Sequence, residues 1–106
     1  GEGTVKRTFT HVEDICNGIY NAVHKKISNR KVFNIGGEVY SLFEIATKIA
    51  TVYDSEVSFV DWPEISLKIE TGDTMFDSSL LDKLIGSKKK NNLDEWINFV
   101  SNKKSQ

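Results

Sequence analysis

Two stretches with capping-box spacing constrain this chain more than any other feature, because they mark where helices begin. Thr10-His11-Val12-Glu13 and Ser41-Leu42-Phe43-Glu44 each place a hydroxyl residue three positions before a glutamate. In a capping box the hydroxyl accepts from the backbone N–H of the glutamate, whose carboxylate accepts from the backbone N–H of the hydroxyl residue. The sequence therefore predicts helices that begin after Thr10 and after Ser41, with His11 in a capping or surface role.

Apolar residues recur at helical spacing behind both boxes, which predicts one inward face for each helix. The first face comprises Val12, Ile15, Cys16, Ile19, Val23 and Ile27, and the second comprises Ile45, Ala46, Ile49 and Ala50.

Two shorter patterns predict a third and a fourth helix. Asp77 is a candidate cap for a helix that turns Leu80, Leu81 and Leu84 inward and ends at Gly86. Asn92, with Glu95 three residues later, opens the last helix, whose apolar residues are Leu93, Trp96, Ile97 and Val100.

Strands are predicted over Arg7–Phe9, over Lys31–Ile35 before the Gly36-Gly37 turn signal, and over Glu56–Val60. The element order is then β-α-β-α-β-α-α, an α/β class, and the alternation favours parallel pairing with crossover helices. Three short strands make a poor sheet by themselves. We therefore expect the chain to be a small part of a larger unit, and to self-associate through the unpaired strand Val32–Ile35.

Composition excludes several classes of protein. The formal net charge of −1 argues against a nucleic-acid partner. No apolar stretch approaches the roughly 20 residues of a membrane span. The single cysteine excludes an internal disulfide and fits a cytoplasmic protein. No spacing of Cys and His suggests a metal site, no residues suggest a catalytic triad, and no strand–GxGxxG–helix motif suggests a dinucleotide site. We expect no catalytic, cofactor-binding or metal-binding residues.

Two residues remain as candidates for ligand binding. Arg7 lies just before a helix N-terminus, where a guanidinium and free N–H groups together suit a phosphate, although spacing alone favours a surface salt bridge. Asp73 follows Gly72 in a predicted turn, and its carboxylate can accept from a sugar or ribose hydroxyl.

Three motifs follow one another across nearly the whole chain. They are Gly1-x-Gly3-x-x-x-Arg7-x-Phe9-x-His11-Val12-x-Asp14, then Val32-Phe33-Asn34-Ile35-Gly36-Gly37 with Ser41-Leu42-x-Glu44-Ile45-Ala46, then Gly72-Asp73-Thr74-x-x-Asp77-x-Ser79-x-Leu81-x-x-x-Ile85-Gly86. In order and spacing they resemble the C-terminal part of the extended short-chain dehydrogenases/reductases, the NAD-dependent nucleotide-sugar epimerases and dehydratases.

The resemblance implies a function for the parent protein: transient oxidation of a nucleotide-sugar at C4 by NAD. It implies that Arg7 contacts the diphosphate of the substrate and that the Val32–Gly36 stretch supplies a strand of a Rossmann sheet. Many members carry a second phosphate-binding arginine shortly before the Gly-Asp pair, and Lys68-Ile69-Glu70-Thr71 offers none there.

The resemblance also implies a domain assignment. Residues 1–106 form a single C-terminal substrate-binding region, with 102–106 as a frayed tail. The Rossmann NAD-binding part, with its glycine motif, Tyr-x-x-x-Lys pair and catalytic Ser or Thr, lies outside this sequence. This chain alone is then expected neither to bind NAD nor to turn over substrate. The alternative is a non-catalytic binding or interaction module derived from the same superfamily.

Overall fold

The structure is a computed structural model that describes residues 1–25, 29–86 and 90–104. Its elements, in chain order, are β1 (Lys6–Phe9), α1 (Val12–Val23), β2 (Glu38–Ser41), α2 (Leu42–Tyr53), α3 (Glu64–Ile69), α4 (Ser79–Ile85) and α5 (Leu93–Lys104). The α/β class is confirmed. The order differs from the predicted one, because Glu56–Val60 forms no strand and a short helix that was not predicted, α3, follows it.

Strand β1 is the centre of the fold, with neighbours from two distant parts of the chain. It pairs antiparallel with β2, in a register that sets Arg7 opposite Tyr40. It also forms a parallel bridge between Arg7 and Thr74, in which the Thr74 N–H donates to the Lys6 carbonyl over 3.0 Å. The predicted strand at Arg7–Phe9 is confirmed. The predicted parallel pairing of strands is wrong, because β1 and β2 are antiparallel and the Arg7–Thr74 bridge is the only parallel pairing among the described residues.

The other two predicted strands are wrong. Neither Lys31–Ile35 nor Glu56–Val60 is a strand, and the second strand of the sheet comes after Gly36-Gly37 rather than before it. A strand exists only where a neighbour accepts its backbone hydrogen bonds. Here β1 forms its backbone hydrogen bonds with β2 and with the Asp73–Thr74 segment. Neither Lys31–Ile35 nor Glu56–Val60 therefore has a described strand with which to pair.

Helix α1 begins one residue later than predicted and turns a different face inward. Its N-cap is His11, whose Nδ1 accepts from the Glu13 N–H over 3.0 Å. The Thr10 hydroxyl donates instead to the Gly36 carbonyl, at 3.1 Å. Gly18 is the buried residue of the helix, and an ideal Cβ on it would lie 3.4 Å from Leu81 Cδ2 on α4.

The predicted inward face of α1 is therefore mostly wrong. Four apolar side chains and the lone cysteine face outward: Val12, Cys16, Ile19, Tyr20 and Val23. We call this set the α1 stripe. Close packing at Gly18 turns the helix so that the glycine, rather than the longest apolar row, meets α4. Ile27 lies outside the described residues.

The boundaries of the other three predicted helices, α2, α4 and α5, follow the sequence closely. Ser41 and Glu44 form the complete capping box at the start of α2. Asn92 Oδ1 accepts from the Glu95 N–H over 2.8 Å at the start of α5. Asp77 lies one residue before the N-cap of α4 and accepts from the Ser79 N–H. Gly86 ends α4 with a φ of 82°.

Little of the described chain is buried. Helix α1 packs on α4, and α2 packs on α5, but Leu81 and Ile97 are the only buried hydrophobic residues among those described. The radius of gyration is 17.0 Å, against about 13 Å for a compact domain of this length. The accessible surface is 8353 Å², against about 6,000 Å² for a folded monomer of this mass. The chain is flat and leaves much apolar surface uncovered.

Candidate functional site

Arg7 lies at the junction of β1 with the Gly72–Thr74 segment, and its side chain is about two-thirds buried, with 29% exposed. Nη1 donates to the Gly72 carbonyl and, over 3.1 Å, to the Lys6 carbonyl. Nη2 donates to Glu70 Oε1 in a short ion pair. The sequence singled out Arg7, and the structure gives it partners 63 and 65 positions along the chain.

Glu70 is the site residue that sequence reasoning missed. It is the C-cap of α3, and its Oε1 accepts from both the Arg7 guanidinium and the Gly72 N–H, the latter at 3.0 Å. The Arg7 hydrogen bond is the main cause that lowers the pKa of the Glu70 carboxyl, helped by the Gly72 N–H and opposed by desolvation. Glu70 is therefore ionised at neutral pH, where the ion pair is intact. The sequence feature that could have indicated Glu70 is an acidic residue two positions before the Gly72-Asp73 pair.

Asp73, the second predicted ligand residue, lies at the same junction. Its Oδ1 accepts from the Lys6 N–H over 2.8 Å, next to Arg7 on β1. The residue is exposed, so the carboxylate faces solvent while one oxygen is held by the strand. The structure thus brings Arg7 and Asp73 to one edge of the sheet. In this arrangement the guanidinium of Arg7 can bind a phosphate, and the carboxylate of Asp73 can accept from a nearby hydroxyl.

Lys68, the nearest cation in the stretch before Gly72, is not at this junction. Its Nζ pairs with Glu64 Oε1 over 3.3 Å on the exposed side of α3, and its side chain is 72% exposed. Lys68 therefore adds no contact to Arg7 or Asp73.

A cavity of about 320 Å³ lies elsewhere, where the end of β1 meets the start of α5. Phe9, Val12, Leu93 and Trp96 form its apolar walls. Its polar lining residues are Thr10, His11, Glu38, Asn91 and Asn92. The Glu38 carboxylate accepts from the Leu93 N–H and from the Tyr40 hydroxyl. That second bond is the main cause that raises the pKa of Tyr40 to about 12. Glu38 therefore connects β2 to the start of α5, and its carboxylate is not free to bind a ligand in this cavity.

Within residues 1–25, 29–86 and 90–104, no group of three or more His, Cys, Asp or Glu side chains could hold a metal ion. None of the described helices combines the length and apolar character that crossing a membrane requires.

The fold is similar to that of a known enzyme structure. No family model matches the chain. No curated protein matches it either. Among solved structures, it resembles UDP-glucuronic acid 4-epimerase from Bacillus cereus, crystallised in complex with NAD, with a TM-score of 0.71 and 24% sequence identity. The match covers 92% of this chain but only 29% of the epimerase. This chain therefore has the α/β fold of a C-terminal portion of that protein and spans less than a third of its length.

Proposed function

We propose that this chain is the nucleotide-sugar-binding portion of an NAD-dependent sugar epimerase or dehydratase that works by transient oxidation at C4 of the sugar. The observation that carries the proposal is the position of Arg7. It presents a guanidinium beside Asp73, on a fold shared with a UDP-sugar epimerase. In this proposal Arg7 binds the diphosphate, and Asp73 accepts from a hydroxyl of the nucleotide or sugar.

NAD belongs to the proposed parent protein, where it would accept the hydride from C4 of the sugar and later return it. The glycines of this chain do not fit a dinucleotide site. Gly36 and Gly37 lead into β2 rather than into a helix, so no helix N-terminus follows them to face a pyrophosphate. We therefore assign no step of NAD chemistry to this chain, and its inability to bind NAD alone stays a prediction.

Arg7→Ala is expected to weaken binding of uridine diphosphate to this chain by about tenfold to a hundredfold. A charge-assisted contact between guanidinium and phosphate is worth on the order of 1.5–3 kcal/mol. Arg7→Lys keeps the charge but loses the planar fork, so it should recover only part of the loss. Titration calorimetry of the wild type and both variants measures the dissociation constants.

Arg30→Ala is the matched control for this experiment, because it removes the same charge from an exposed loop residue. It should leave the affinity for uridine diphosphate unchanged. Equal affinities of the wild type, Arg7→Ala and Arg7→Lys would remove Arg7 from the site, and the proposed function would fall with it.

The α1 stripe favours a second candidate, an interaction module that associates with itself. Val12, Ile19, Tyr20 and Val23 are each more than half exposed on one helix, and a contiguous apolar surface of this kind usually marks an interface. The expected association no longer rests on Val32–Ile35, which is not a strand here.

Ile19→Lys is expected to shift this chain toward the monomer in sedimentation equilibrium, because it places a charge in the middle of the α1 stripe. Ile65→Lys is the control, since Ile65 is 75% exposed on α3 and lies outside the stripe. A wild-type chain that stays monomeric at high concentration, or an equal response of the two variants, would contradict the association through α1.

A further inference from the structure

The turn that follows α3 closes onto the guanidinium of Arg7. Glu70 ends the helix, and Gly72 adopts a φ of +81°, a left-handed conformation that glycine accepts without strain. This turn aims the Gly72 carbonyl at Nη1 of Arg7 and leaves the Gly72 N–H bonded to Glu70. One short segment therefore supplies both a carbonyl and a carboxylate to the same side chain.

These contacts use much of the hydrogen-bonding capacity of Arg7. A guanidinium has five N–H donors. Within the part of the chain that the structure describes, three of them are taken, by the carbonyls of Lys6 and Gly72 and by the carboxylate of Glu70. A carboxylate and a phosphate present similar pairs of oxygens to a guanidinium. The anion-binding position on Arg7 is thus filled by an anion of the chain itself.

We propose that Glu70 is a built-in competitor for the anionic ligand of Arg7, so that a nucleoside diphosphate binds only by displacing its carboxylate. This inference rests on the proposed function, in which Arg7 binds the diphosphate. The proposal gives Glu70 a role in the affinity of the site for the diphosphate, and no role in the chemical reaction.

Two further observations support the displacement. The lowered pKa of Glu70 keeps it charged at neutral pH, so it both competes with a phosphate and repels one nearby. An ideal Cβ on Gly72 would meet no atom within 4 Å, so the turn borders open space. The Glu70 side chain is itself 23% exposed, so it already reaches solvent beside Arg7.

The test is Glu70→Gln, a nearly isosteric change that removes the charge. Affinity for uridine diphosphate should rise by roughly twofold to fivefold, as expected for the loss of a partly exposed ion pair. Glu70→Ala should change it in the same direction. Affinity for uridine, which has no phosphate, should not change. Glu64→Gln is the matched control, because it removes the same charge from α3 at a residue that pairs with Lys68 instead.

The double variant Glu70→Gln/Arg7→Ala should lose the gain, since the competition exists only at Arg7. If Glu70→Gln leaves the affinity unchanged or lowers it while Arg7→Ala still weakens binding, the competitor role is overturned and the proposed function stands. If wild type and Arg7→Ala bind uridine diphosphate equally, both the proposed function and this inference are overturned.

Discussion

Leu81→Ala is expected to lower the free energy of unfolding by about 2–5 kcal/mol, the range for removing a buried leucine side chain without refilling the space. Leu81 is only 4% exposed and packs between α4 and α1, close to Gly18. A chain of this length is stabilised by roughly 5–15 kcal/mol in total. Because Leu81 and Ile97 are the only buried hydrophobic residues in the described part of the chain, this loss should remove a large share of the total stability.

The neighbouring residue provides the control for Leu81. Leu80→Ala makes the same chemical change on the same helix, but Leu80 is 57% exposed, and such surface changes usually stay within about 0.5 kcal/mol. Urea unfolding followed by circular dichroism compares the two variants with the wild type. Equal losses of stability for Leu80→Ala and Leu81→Ala would show that α4 does not pack on α1 through Leu81.

Gly37→Ala is expected to destabilise the fold by about 3 kcal/mol, the upper end of the range for overpacking. An ideal Cβ on Gly37 would lie 2.3 Å from the Phe9 carbonyl oxygen and 2.6 Å from Thr10 Oγ1. The nearer obstacle is backbone of β1, which cannot rotate away as a side chain can. Either β2 must shift or the end of β1 must move.

Gly18→Ala is the same substitution with the opposite expected sign. An ideal Cβ there would meet Leu81 Cδ2 at 3.4 Å and Ile35 Cδ1 at 3.6 Å, both ordinary contact distances. Alanine also stabilises a helix interior by about 0.5–1 kcal/mol relative to glycine. Thermal unfolding should therefore rank Gly18→Ala above the wild type and Gly37→Ala well below it. A Gly37→Ala variant as stable as the wild type would contradict the close approach of β1 to Gly37.

Only part of the candidate site could be predicted from the sequence. Arg7 and Asp73 could be selected because a guanidinium and an acid beside a turn glycine suit a phosphate and a hydroxyl. Glu70 could not be paired with Arg7, since 63 positions separate them. Their contact depends on the parallel bridge between Arg7 and Thr74, a long-range pairing that no local pattern announces.

The sequence by itself determined the features that depend on neighbouring residues. The start of α2 at Ser41, the start of α5 at Asn92 and the end of α4 at Gly86 are all set by side chains or dihedral angles within a few positions. Tertiary structure decided the other features, because in each of them a residue can form alternative contacts and the one formed is with a residue far away in the sequence. Thr10 bonds to Gly36 and leaves the cap of α1 to His11. Residues 31–35 have a strand-like sequence but have no strand to pair with among the described residues. Helix α1 faces α4 with Gly18 rather than with its apolar row.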